Sequence, residues 1–297
     1  MLSPDTKIVD AHHHIWNPVS AEPEVGYVWL RKIGAPKPFG DPTPIQRDYL
    51  LDEFCGEHPK LTASVHVQVD GAIADPVAET EFVYEQAQSA GHDIAIVGFV
   101  DLSRDDCGDV MDRHMACPAF RGVRHILSRL DDQPALSFAP EHYLENPFWR
   151  QGFKELRKRG LSFDLQCYPE QMHDAALLFS QQDEVAVIID HAGSPWDQSA
   201  DGLARWRTGL KRLADLPQIS IKLSGFGMFD RDRTKTPELC QTILELFGAD
   251  RVMVGSNFPV DSLMASYGDY VDAIAAALPA DTHEGVFGAN ARHVYRF

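Results

Sequence analysis

The sequence predicts an α/β protein folded as a single (β/α)8 barrel, on three observations. Eight short apolar runs alternate with longer amphipathic stretches, as strands followed by crossover helices do. At 297 residues the chain has room for one barrel of ~250 residues plus insertions. No Gly-rich dinucleotide fingerprint follows the first run, which counts against the open doubly wound sheet. One domain is expected over 1–297, with 17–46 as an insertion after the first strand.

Strands are expected near 7–12, 62–69, 94–101, 121–127, 161–167, 185–190, 218–223 and 251–255. Helices are expected over Asp75–Ala90, Pro147–Arg159, Pro169–Gln182, Leu203–Leu213, Pro237–Phe247 and Met264–Ala277. Pro147, Pro169 and Pro237 stand where a first-turn proline is tolerated, and Asp75-Pro76 reads as an N-cap followed by N1. The exception to the alternation is 17–46, rich in proline (Pro18, Pro23, Pro36, Pro38, Pro42, Pro44) with Tyr27, Trp29 and Phe39 among them. A loop of this length in a compact domain is usually functional. Placed after strand one it overhangs the C-terminal mouth as a lid, or serves as a packing arm or the contact of a homodimer.

Lys+Arg 27 against Asp+Glu 44 gives −17, spread along the whole length. Phosphate-bearing partners need a basic face, so neither nucleic acid nor an anionic membrane is expected. Five scattered cysteines without a CxxC suggest neither a disulfide framework nor a zinc knuckle. With no leader-like N-terminus and no run of 18 apolar residues, a cytoplasmic enzyme acting on a small molecule is the expectation.

The polar residues gather at predicted strand ends. Strand one runs into Asp10-Ala11-His12-His13-His14-Ile15-Trp16, where strict alternation puts Asp10, His12 and His14 on one face and His13 on the other. Two imidazoles on one face suit a metal or a substrate oxygen. Strand two alternates Val65, Val67 and Val69 with His66, Gln68 and Asp70. Strand five sets Asp164 and Gln166 together, strand six ends in Asp190-His191, strand seven carries Lys222, and strand eight ends in Asn257 before Pro259 and Asp261. Arg121-Gly122-Val123-Arg124-His125 adds guanidiniums suited to a carboxylate.

The chain resembles the amidohydrolase superfamily, in its amidohydrolase-related branch of TIM-barrel hydrolases. The resemblance covers nearly the whole chain. It rests on the Asp10–Trp16 opening, Arg121–His125, Phe163-Asp164-Leu165-Gln166-Cys167-Tyr168-Pro169, Asp190-His191-Ala192-Gly193-Ser194-Pro195, Lys222-Leu223-Ser224-Gly225, Gly255–Asp261 and Gly288–Arg292. It implies hydrolysis of lactones of the sugar-acid, muconolactone or pyrone dicarboxylate type. It also implies a divalent ion such as zinc on His12 and His14, but Gln166 and Asn257 stand where two further ligands are typical, and amides are poor zinc ligands. Metal-free action, as in some relatives, is equally open.

On this reading His191, with His12 and His14, polarises a lactone carbonyl. Arg124, Gln166 and Lys222 hold the substrate, Asn257 positions it or water, Asp261 by default deprotonates water, with His12, His14 or Asp164 as other candidates for the base, and Trp16 closes the rim. A metal-dependent decarboxylase and a non-catalytic barrel that binds a small acid are the alternatives.

Overall fold

The computed structural model describes residues 2–21, 26–35, 37, 39–69 and 74–297. Eight strands follow one another in a parallel sheet: β1 Ile8–His13, β2 Leu61–Val67, β3 Asp93–Phe99, β4 Phe120–Arg124, β5 Ser162–Leu165, β6 Val187–Ile189, β7 Ile219–Leu223 and β8 Val252–Val254. The sheet closes between its first strand and the segment after its last: Asn257 N–H donates to His12 O and His14 N–H to Phe258 O, both at 2.7 Å. A methyl group on Gly255 would lie 2.6 Å from His12 Cβ, so only glycine permits this approach. The barrel is therefore of the expected (β/α)8 type, and each expected strand overlaps an observed one.

The interior is layered. Val9, Ala11, Ala63, Val65, Val67, Ala95, Val97, Ile188 and Met253 fill it, and Ala291 and Tyr295 of the helix Asn290–Tyr295 pack against them from the end opposite the cavity. Outward-facing strand residues such as Ile8, Ile94, Ile96, Val123, Phe163 and Ile219 belong to the larger cluster under the helices. Small and β-branched side chains suit the narrow interior, and the aromatics go to the sheet–helix layer.

Pro147–Arg159 is helical over the expected span, with the Asn146 side chain accepting from the N–H groups of Phe148 and Trp149. Asp75 Oδ1 accepts from Val77 N–H, and the helix runs Val77–Ala90. The helix Cys107–His114 is not foreseen from the sequence, because eight residues interrupted by Gly108, Asp109 and Asp112 carry little periodic signal. No helix of the described residues is long and apolar enough to cross a membrane.

Strand one departs from strict alternation. Two residue steps on β2, from Ser64 to His66, match three on β1, from Asp10 to His13, which is a bulge. Ala11 and His12 therefore both turn inward, while Asp10 faces the helix layer: its carboxylate accepts from the Tyr267 hydroxyl and from the N–H groups of His12 and Ser256. The expectation that Asp10 shares a face with His12 fails for this reason. His66 likewise turns outward to Glu79, at 3.1 Å. Asp70 lies outside the described residues.

Candidate active site

The C-terminal ends of the strands open into a cavity of about 500 Å³. His14, Arg124, Gln166, His191 and Asn257 line its floor, and Trp16 is part of its wall. These six were singled out from the sequence, and the barrel brings them together. Trp29 and Phe39 of the 17–46 insertion complete the wall, Trp29 standing edge-on between Trp16 and Phe39 with ring centres 5.6 and 6.2 Å away. Pro23, Pro36 and Pro38 of that insertion lie outside the described residues.

Three expected residues do not border the cavity. Lys222 lies beneath the floor, fully buried, with Nζ 2.5 Å from Asp164 Oδ2, 3.1 Å from Asp190 Oδ1 and 3.3 Å from His12 Nδ1. A lysine so enclosed is not placed to hold a substrate carboxylate, contrary to its expected role. Asp261 sits behind Asn257, whose Nδ2 donates to Asp261 Oδ1 at 2.9 Å, and its other oxygen accepts from Gly227 N–H. Burial raises its pKa to about 7, against those two hydrogen bonds. His12 Nδ1 lies 3.1 Å from Asp190 Oδ1, and its Nε2 is buried without a partner.

His191 is held in an unusual backbone. His191, Ala192, Gly193 and Ser194 all have φ between 50° and 70°, the left-handed region that costs energy for non-glycine residues. Surrounding bonds fix it: Ser224 Oγ accepts from His191 N–H and lies 3.2 Å from its Nδ1, while Trp206 Nε1 donates to Ala192 O. Gly225, at φ +68°, packs so tightly on the ring that a Cβ there would lie 2.6 Å from Nδ1. Strand β6 and the following Asp190-His191-Ala192-Gly193 stretch aim the imidazole across the barrel, where it lies 4.5 Å from the His12 ring.

Charge in this region is balanced within the protein. Burial lowers the His12 and His14 pKa values far below the usual imidazole range and brings His191 down to about 3, so all three are neutral near pH 7. Burial alone would raise the Asp190 carboxyl, but Lys222 and His12 outweigh it and hold the group ionised. Arg124 donates to Gln166 Oε1 and to the backbone oxygen of Gln68, and its Nη1 lies 3.6 Å from Asp190 Oδ2.

The amidohydrolase resemblance implies a divalent ion here. Among the described residues one suitable group comes together, His12, Asp190 and His191, with ligand atoms within 4.8 Å of one another. The set fits such an ion poorly. One oxygen of Asp190 is bonded to an ammonium and an imidazole, and the other faces a guanidinium. The amides of Gln166 and Asn257 are engaged by Arg124 and Asp261.

Phe99, Asp101, His125, Phe138 and Tyr143, from strand ends and loops at β3 and β4, line the side of the cavity opposite the insertion, and of these only His125 stands out in the sequence. His125 Nδ1 accepts from Trp149 Nε1 and Leu102 N–H, so its proton sits on Nε2, and burial brings its pKa down to about 4. Asp190, too, stood in a quoted motif without a role. Its partners are 178 residues upstream and 32 downstream, and a sequence gives no sign of that pairing.

A family profile described as amidohydrolase matches residues 9–297. An uncharacterized protein of Sinorhizobium fredii is 33% identical over 98% of this chain and 99% of its own length. An L-fucono-1,5-lactonase of Burkholderia multivorans is 28% identical over 97% of this chain and 95% of that one. Among solved structures, an amidohydrolase of Burkholderia multivorans crystallised with bound zinc superposes with a TM-score of 0.79 at 26% identity, covering 98% of this chain and 100% of that one.

Proposed function

The chain belongs to the amidohydrolase family, and from that premise we propose that it opens a small lactone by water attack on a polarised carbonyl. The observation that carries the reading is the neutral His191 imidazole, fixed by Ser224 and Gly225 and facing the cavity beside His14 and Arg124. The 27–28% identity to lactonases, along nearly the full length, supports it.

Ser224 Oγ takes the backbone N–H of His191 and has its own hydroxyl proton to give to Nδ1. That leaves the ring proton on Nε2, a neutral donor for the lactone carbonyl. Such a preorganised donor strengthens its hydrogen bond as negative charge develops on the oxygen. Arg124, anchored at the ends of β2 and β5, adds positive potential to the same floor.

Water activation falls to His14. Its Nδ1 lies 2.6 Å from Val67 O, which can only accept, so the neutral ring keeps its lone pair on Nε2. Asn257 Oδ1, 3.3 Å from Nε2 and held by the bond from Nδ2 to Asp261, can only accept, so the two atoms make no bond to each other and together take the two protons of one water. Burial makes His14 a weak base at rest, and the negative charge developing on the substrate beside it raises its basicity during attack. As the intermediate collapses and the ring C–O bond breaks, His14 returns that proton to the leaving ring oxygen. Trp16, Trp29 and Phe39 exclude bulk solvent and pack on the substrate's apolar face.

The test is proton release against a panel of sugar-acid, muconate and pyrone lactones, with chelator-treated and zinc-supplemented protein. Turnover that survives the chelator supports histidine and arginine chemistry. Turnover only with zinc rejects the metal-free mechanism but keeps the lactonase. Silence throughout rejects the reading.

A further inference from the structure

Beneath the cavity lies a charge layer that lactone opening does not itself require. Asp164, Asp190, Lys222 and Arg124 are buried together, two carboxylates with two cations. The Tyr295 hydroxyl completes the layer from the other end of the barrel, donating to Asp164 at 2.9 Å. Burying charges removes their hydration, a cost of several kcal/mol per ion that only close opposite charges offset. The layer persists because its charges cancel.

We infer that the Lys222 ammonium fills the place in this charge balance that a divalent ion would take, so that the His12–Asp190–His191 cluster accepts zinc only once that ammonium is removed. The cluster offers the geometry of a metal site, with three ligand-bearing side chains on the ends of β1 and β6 and a buried nitrogen, His12 Nε2, without a hydrogen-bond partner. Its negative member is already spoken for. Asp190 Oδ1 faces Lys222 Nζ at 3.1 Å and His12 Nδ1 at 3.1 Å, and Oδ2 has Arg124 at 3.6 Å. An ion seated there would meet a fixed positive charge on each side of its only carboxylate. Repulsion between charges a few ångströms apart is strong in a medium that holds little water.

The relevance to catalysis rests on the lactonase reading, but the test does not. Zinc affinity is measured without substrate, by calorimetry on protein stripped of metal, with cobalt absorption as a check that histidines are the ligands. Two variants accompany the wild type. Lys222→Met removes the ammonium alone. Lys222→Met combined with Asp164→Asn removes one charge of each sign, keeping the layer neutral and Asp164's bond to Tyr295 available.

The double variant is expected to bind zinc at least ~10-fold more tightly than wild type, with an unchanged circular dichroism spectrum. Adding His12→Ala should abolish the gain. Equal affinities in a folded double variant would overturn the proposal. So would wild-type protein that takes up stoichiometric zinc tightly through His12, a result that needs no variant to fold.

Discussion

The floor of the cavity and its wall are built on different principles. Floor residues sit at strand ends, are almost fully buried, and each is held by several partners: His191 by Ser224 and Gly225, Arg124 by Gln166 and Gln68, Asn257 by Asp261 and the His12 carbonyl. Wall residues come from the insertion and the loops after β3 and β4, and they meet mostly through ring edges, with Phe138 43% exposed at the rim. A rigid floor suits a transition state, whose geometry varies little. A looser aromatic wall suits the variable part of a substrate.

If that contrast holds, floor substitutions should act on kcat and wall substitutions on KM. The largest effect is expected from His191→Ala, which should lower turnover of a true substrate at least ~100-fold, the usual cost of losing one oxyanion donor. An unchanged rate would take His191 out of the mechanism.

Next comes a pH effect on stability. Asp261 has its pKa raised to about 7, so the folded state holds a proton that the unfolded chain releases near pH 4. The folded protein is therefore relatively more stable at low pH, and this advantage is lost as pH rises through about 7. Asp261→Asn should abolish the dependence. Denaturant melts at pH 5 and pH 8 should differ by on the order of 2 kcal/mol more in wild type than in the variant. Parallel behaviour would mean that Asp261 is ionised throughout.

Gly225→Ala should leave the fold standing but push the His191 ring aside, lowering kcat roughly 10- to 100-fold with little change in KM. The smallest effect should come from the wall: Trp29→Ala is expected to raise KM about fivefold, near the worth of one aromatic contact, with kcat intact. A kcat loss equal to that of Gly225→Ala would erase the distinction between the two regions.

The same contrast decides what could be read in the sequence. His14, Arg124, Gln166, His191 and Asn257 were recognisable because strand ends are fixed by apolar runs, and chemistry at a fixed register stands out. The insertion was flagged by its prolines and aromatics. Lys222 is legible as a residue of strand seven, but its ion pairs with Asp164 and Asp190 arise only on closure, so its depth is hidden. Asp10 was misplaced because nothing local announces a bulge. Asp101 and Tyr143 are not recognisable as cavity residues because loop paths depend on packing.

The seam between the first strand and the segment after the last has a consequence for how the protein comes to be active. Its closing hydrogen bonds run through His12, His14, Asn257 and Phe258, so three of the four seam residues also belong to the cavity floor or the charge layer below it. Ring closure and site assembly are one event across some 245 residues of intervening chain. A barrel still open at this seam lacks the facing His12, His14 and Asn257. A circular permutant cut in a loop opposite the seam should recover activity only in step with its last strand pairing, never ahead of it.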